Sequence, residues 1–209
     1  NSMGRSRRAA GSDIVTFLGR RADRLARTGN ATHMRARIGE RQVMSLLDRL
    51  IRPPEPPLGA LWGAIAETAR APGPFLRFGV PDTLDGRFDM VALVTALVMI
   101  RLEALGALRE TALLTERFVD DMDGSLREIG VGDMVVGKHV GHMVGALGGR
   151  IGAYREALAA ADPAAALAGA LARNVWRGSP GADADPAGLA AHVRALHARI
   201  GALSRDELV

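Results

Sequence analysis

Residues 132–139 read GDMVVGKH, which places Gly132, Gly137 and Lys138 at the spacing of a phosphate-binding loop. Such a loop joins a strand to a helix and follows its Lys with a Ser or Thr whose hydroxyl ligates magnesium. Here His139 stands in the hydroxyl's place. The preceding SLREIG reads as a helix end, and Met134–Val144 is itself helical in spacing. The stretch is therefore read as a Gly-Val-Gly turn between two helices, with Asp133 as N-cap of the second. No nucleotide is expected.

Three further groups invite a chemical reading. Asp120, Asp121 and Asp123 cluster near a helix end, one turn before Arg127 and Glu128. The calcium-loop pattern fails because Gly124 is misplaced and no Glu stands twelve residues from Asp121. Asp123 and Arg127 are i, i+4 on a helix, the spacing of an ordinary ion pair. His139 and His142 can share a helix face, but no third ligand is spaced to join them. Gly137, Gly141, Gly145 and Gly149 recur at steps of four. Glycine costs a helix up to about 1 kcal/mol relative to Ala, so the stripe needs a reason. Bare positions let another backbone approach closely. The favoured neighbour is a helix of the same chain, and the alternative is a helix of a client protein. No Ser-His-Asp arrangement stands out, and with no Cys thiolate chemistry and disulfides are excluded. Neither a cofactor nor a metal site is expected, and the chain does not read as an enzyme.

The elements that carry these residues are helices throughout. No segment alternates apolar and polar residues as a half-buried strand would. Short amphipathic helices are expected around Ile14–Leu25 and Val43–Leu50, the second stopped by Pro53-Pro54 and Pro56-Pro57. Leu58–Arg70 forms another, and Gly79–Gly86 is loop chemistry. Arg87–Leu105 is apolar on nearly all sides in its middle, which predicts central burial. Leu108–Ile129 is amphipathic, with Leu113, Leu114, Phe118, Met122 and Leu126 on one face. The helix after Asp133 runs towards Ala160, with a bend expected at Gly148-Gly149. Asp162-Pro163 and Asp185-Pro186 each pair a cap with a proline at the first helical position. They open helices to about Arg177 and Leu203, separated by a linker at Ser179–Asp185. The expectation is an all-α fold, a single domain of seven to nine helices.

Charge divides the 209 residues in two. Residues 1–43 hold ten Arg against Asp13, Asp23 and Glu40, while residues 44–209 carry a small net negative charge. The basic pI belongs to an Arg-rich N-terminal arm, and 44–209 is the helical domain. Met44, opening MSLLDRLI, reads as an alternative start, in which case the arm does no work. Otherwise an arm of this kind suits an anionic membrane surface, through residues 5–41, or RNA. Aromatic residues are only 4%, which argues against RNA binding on stacked aromatic platforms. The longest apolar run, Met90–Ile100, is too short to span a bilayer, which takes about 20 residues.

Four stretches carry a resemblance: GVPDTLDGRFDM (Gly79–Met90), DDMDGSLREIGVGD (Asp120–Asp133), VGK (Val136–Lys138) and GGRIGAYREAL (Gly148–Leu158). Together they resemble the ubiquinol–cytochrome c chaperone family, assembly factors of respiratory complex III, over about Pro57–Leu203. The resemblance implies an all-helical protein without catalysis that binds newly made cytochrome b at the inner or cytoplasmic membrane. It also implies a small partner protein or the ribosome nearby. Gly79, Val80, Pro81, Asp82, Thr83, Asp85, Gly86, Arg87, Phe88 and Asp89 become candidate partner-binding residues. So do Asp120, Asp121, Asp123, Arg127, Glu128, Gly137, Gly141, Gly145, Arg150 and Tyr154. Two positions depart from the family pattern. Val94 replaces a common His, and Leu147-Gly148 lacks an aromatic before the Gly-Arg pair, so no role passes to those side chains.

Arg87 is expected to clip its loop to the Asp120–Asp123 cluster. The leading functional expectation is a cytoplasmic, membrane-peripheral chaperone that holds hydrophobic client helices in an apolar groove. The alternatives are an all-α enzyme or binding protein for an isoprenoid-like ligand, using Asp120, Asp121 and Asp123 with magnesium, and a ribosome- or RNA-contacting module working through the arm.

Overall fold

The computed structural model describes residues 58–128 and 133–209, with side chains at 126–140 set aside. The expected arm, the helices around Ile14 and Val43, the Gly-Val-Gly turn and the side chains of Arg127 and Glu128 lie outside the described residues. Eight helical segments follow one another among those that are described: α1 (Gly59–Ala69), α2 (Pro72–Phe78), α3 (Leu84–Ala104), α4 (Leu108–Glu128), α5 (Asp133–Ala159), α6 (Pro163–Val175), α7 (Pro186–Gly201) and α8 (Arg205–Leu208), a single turn. The described residues contain no strand. The all-α expectation holds.

α3 is the axis of the molecule. Every residue from Asp89 to Met99 is buried, because the sequence offers no polar face there to turn outward. α3 packs against α1, α4, α5, α6 and α7, and α6 packs against both α5 and α7. The core thus runs from Leu61 and Ile65 on α1, through Leu93 and Leu97, to Leu171 on α6 and Leu196 on α7. On α4, Leu114, Phe118 and Met122 face inward as their spacing requires.

Local chemistry sets the helix ends. Thr83 Oγ1 accepts from the Gly86 amide at 3.1 Å and caps α3, so the helix begins at Leu84 and not at Arg87 as the loop composition suggested. The side chains of Asp162 and Asp185 accept amides from the first turns of α6 and α7, each ahead of its proline. α2, not foreseen from the sequence, starts at Pro72, whose missing amide proton costs nothing at a first helical position. α5 is continuous from Asp133 to Ala159, without a helix end at Gly148-Gly149. Gly137 and Lys138 lie inside it, so no phosphate-binding loop forms there.

Candidate functional site

The segment between α2 and α3 is where separated motifs converge. Gly79 has φ +63°, and a Cβ there would lie 2.2 Å from the Asp183 carbonyl oxygen; only glycine satisfies both conditions. A Cβ on Gly86 would lie 2.0 Å from the Pro81 carbonyl oxygen. The turn is fastened to the linker before α7. The Trp176 indole donates to the Gly79 carbonyl at 2.9 Å, and the Asp185 amide donates to the Phe78 carbonyl at 2.9 Å. Val80 is buried, while Asp82, Thr83 and Asp85 are exposed and Pro81 is half-buried.

Beneath the turn lies Asp89, 1% exposed. Its Oδ1 accepts from Arg150 on α5. Arg177, just past α6, sets Nε 3.9 Å from its Oδ2 and Nη2 3.2 Å from Asp85 Oδ1. Arg177 holds this place with φ +53°, a left-handed conformation unusual away from glycine. The Arg150 guanidinium lies over the Phe88 ring, 5.5 Å from its centroid, a cation–π geometry. Tyr154, one turn on, is fully buried. Burial pushes the Asp89 carboxyl up to about 6, against the pull of Arg150 and Arg177. The Tyr154 hydroxyl is likewise pushed well above its ordinary value by burial. Asp89 Oδ2, Arg150 Nε and Tyr154 Oη are buried without a hydrogen-bond partner, so the cluster holds charge at a cost that packing around it must offset.

Arg87 does not clip the loop to the acidic cluster. Its Nε meets Asp82 Oδ1 at 2.7 Å, and both side chains are more than half exposed. Five residues ahead across the cap, Asp82 is the nearer acid. Asp121 is engaged elsewhere, accepting from the Trp62 indole at 3.2 Å, and Asp120 is exposed. Among the described residues no group of three potential ligands converges for a metal.

The glycine stripe is also different from its favoured reading. A Cβ on Gly141, Gly145 or Gly149 would meet nothing within 4 Å, and all three positions are exposed. No neighbouring helix of the described chain uses them. Gly137 lies among the side chains set aside. The two departures from the family pattern, Val94 and Leu147, are both buried core residues.

Two concavities flank the Asp89 cluster. One, about 360 Å³, lies between the Gly79–Gly86 turn and residues 175–184. The other, about 660 Å³, is walled by α3, α4, α5 and α6 and includes Phe88, Val91, Met122, Met143 and Arg150. Among the described residues its α4 wall is Met122 and Ser125 and not Asp120, Asp121 or Asp123, so those three aspartates form no carboxylate cage for a magnesium-diphosphate there. Sequence reasoning missed Arg70, Arg173, Trp176 and Arg177. Only the Trp-Arg-Gly run at 176–178 hinted at a constrained turn.

The sequence profile of the family described as Ubiquinol-cytochrome C chaperone matches residues 76–209. The chain belongs to that family. A similar solved structure is that described as the Cbp3 homolog from Brucella abortus, with TM-score 0.64 and 31% identity, covering 79% of this chain and 92% of that one. No curated protein matches significantly. The family match takes in the Gly79–Asp89 turn, α5 and Arg177, so the convergent cluster lies inside the shared region. Among the described residues no helix is long and apolar enough to cross a membrane.

Proposed function

We propose that the protein is a non-catalytic assembly chaperone that holds newly made cytochrome b during assembly of the ubiquinol–cytochrome c reductase complex, acting at the cytoplasmic face of the membrane. Family membership supports the chaperone role. The observation that carries the docking surface is the open face of α5. Gly141, Gly145 and Gly149 are exposed with free space above them, and Val144 beside them is an exposed apolar side chain. Glycines at steps of four leave a shallow track into which a client's membrane helix can bring its backbone close. Four-residue spacing costs helix stability, and no contact within the described chain explains it. The Gly79–Asp89 turn and the Arg150–Tyr154 segment work in this reading as the frame that holds α5 in place.

The test is photo-crosslinking in detergent-solubilised membranes, with a photoreactive residue at Val144 or Gly148 on α5, and at Leu93 as a buried control. Cytochrome b as the main adduct from the α5 positions is expected. Adducts from exposed positions elsewhere with none from α5 would remove this face from the proposal. Capture of no membrane protein at any position would remove the client reading itself.

A further inference from the structure

The larger concavity has a composition that client docking on the glycine face does not use. Its floor is apolar: Phe88 and Val91 on α3, Met122 on α4, Met143 on α5. Among the described residues its lining holds five guanidiniums, Arg70, Arg87, Arg150, Arg173 and Arg177, against one carboxylate, Asp85. Three of the five are committed. Arg87 pairs with Asp82, Arg150 with Asp89, and Arg177 with Asp85 and Asp89. Arg70 and Arg173 have no acidic partner among the described residues, and both are exposed at the rim. Like charges gathered around a concave apolar surface raise the local positive potential. A guanidinium fork matches the oxygens of phosphate and carboxylate. The volume, about 660 Å³, falls in the range of small-molecule sites, which are mostly apolar with a few convergent polar groups. Among the described lining residues the rings are Phe88, which has Arg150 stacked over it, and the exposed imidazole of His142.

We propose that this cavity binds a small anionic amphiphile: a phosphate or carboxylate head held by Arg70 and Arg173, with a single hydrocarbon chain along Phe88, Val91, Met122 and Met143. The ligand class is that of a fatty acid or a single-chain phospholipid. The site is independent of the client-binding reading and would stand if that reading fell.

The experiment is titration calorimetry on the full chain with dodecyl phosphate, laurate, dodecyl maltoside and inorganic phosphate, each below micelle formation. Saturable one-to-one binding of dodecyl phosphate or laurate is expected, and the stronger of the two identifies the head. Dodecyl maltoside has the same tail without charge, and inorganic phosphate has the charge without the tail; both should bind at least tenfold more weakly. R70Q/R173Q, which removes two guanidiniums without acidic partners, should weaken the preferred amphiphile at least tenfold with an unchanged melting temperature. L84E places a carboxylate at an exposed wall position, 62% exposed in the native chain, and should do the same. Equal binding of inorganic phosphate would overturn the amphiphile assignment. Unchanged binding in both variants would overturn the site. Binding of an acidic apolar peptide with none of any amphiphile would reassign the cavity to a protein partner.

Discussion

Asp89 shows how a single residue can be expensive and still be kept. Its carboxyl sits under a turn, buried, with a guanidinium on one oxygen and none within hydrogen-bond reach of the other. Removing one partner of a buried pair leaves an uncompensated charge, typically a loss of about 3–5 kcal/mol. Arg150→Ala should therefore lower unfolding free energy by about 3 kcal/mol at pH 7.5, measured by urea denaturation. Arg87→Ala removes an ion pair with both partners largely in water, and such pairs contribute little. It should leave the melting temperature unchanged, the reverse of what the loop's sequence suggested. The pH dependence follows from the same carboxyl. Burial raises its folded pKa to about 6 from an ordinary 3.8, so between those values the folded state holds more protons than the unfolded one. Its contribution to stability is complete below about pH 4 and is lost as pH rises through 6. The slope reaches about 1.4 kcal/mol per pH unit. The wild type should lose melting temperature from pH 5 to pH 7 more steeply than Asp89→Asn, in parallel thermal scans. The cost of Arg150→Ala should shrink at pH 5, where a protonated Asp89 needs no cation. A flat difference across that range would show that Asp89 is ionised throughout.

At the scale of elements, the glycines fall into two kinds that the sequence does not distinguish. Gly79 and Gly86 are required by the approach of a carbonyl oxygen, and at Gly79 by a positive φ as well. Gly141 and Gly145 are required by nothing inside the described fold. Gly145→Ala should accordingly raise stability by about 0.5–1 kcal/mol, the helix-propensity difference. Gly79→Ala should lower it by more than that. Thermal or chemical unfolding of the two variants measures both, and a destabilised Gly145→Ala would mean that a backbone does lie against α5. The cap on α3 is a smaller matter of the same kind. Thr83→Ala removes the acceptor for the Gly86 amide and should cost about 1 kcal/mol.

For the whole molecule, the proposed function puts stability and client binding on different surfaces, and this separation is testable. Gly141→Leu/Gly145→Leu should leave the melting temperature unchanged or higher, yet reduce the yield of cytochrome b crosslinked through α5. Loss of both together would show that α5 is a structural contact and not a docking face. The two functions share no unavoidable residue. The Asp89 cluster and the Trp176–Gly79 clasp hold α3, α5 and α6 in register, and the glycine face points away into open space.

The amino-acid sequence by itself determined most of the secondary structure, because helix period, caps and prolines are local signals. Asp162-Pro163 and Asp185-Pro186 mark their helix starts within one turn, and the apolar middle of α3 can only be an interior helix. The four motif stretches placed the chain in its family with no fold in hand. Tertiary structure alone decided which partners the motif residues meet. Arg150 meets Asp89 across 61 positions of sequence, and Trp176 reaches Gly79 across 97. Nothing in the spacing of one residue names a partner that far away. The same limit misplaced Arg87, which pairs with Asp82 while Asp85 and Asp89, closer in sequence, meet Arg177 and Arg150. It also left Arg70 and Arg173 unnoticed, since an arginine on a helix end becomes part of a rim only when packing curves the surface around it. Whether a glycine stripe lies against a neighbour or faces open space is likewise fixed by the arrangement of the other helices, which no periodicity within α5 records.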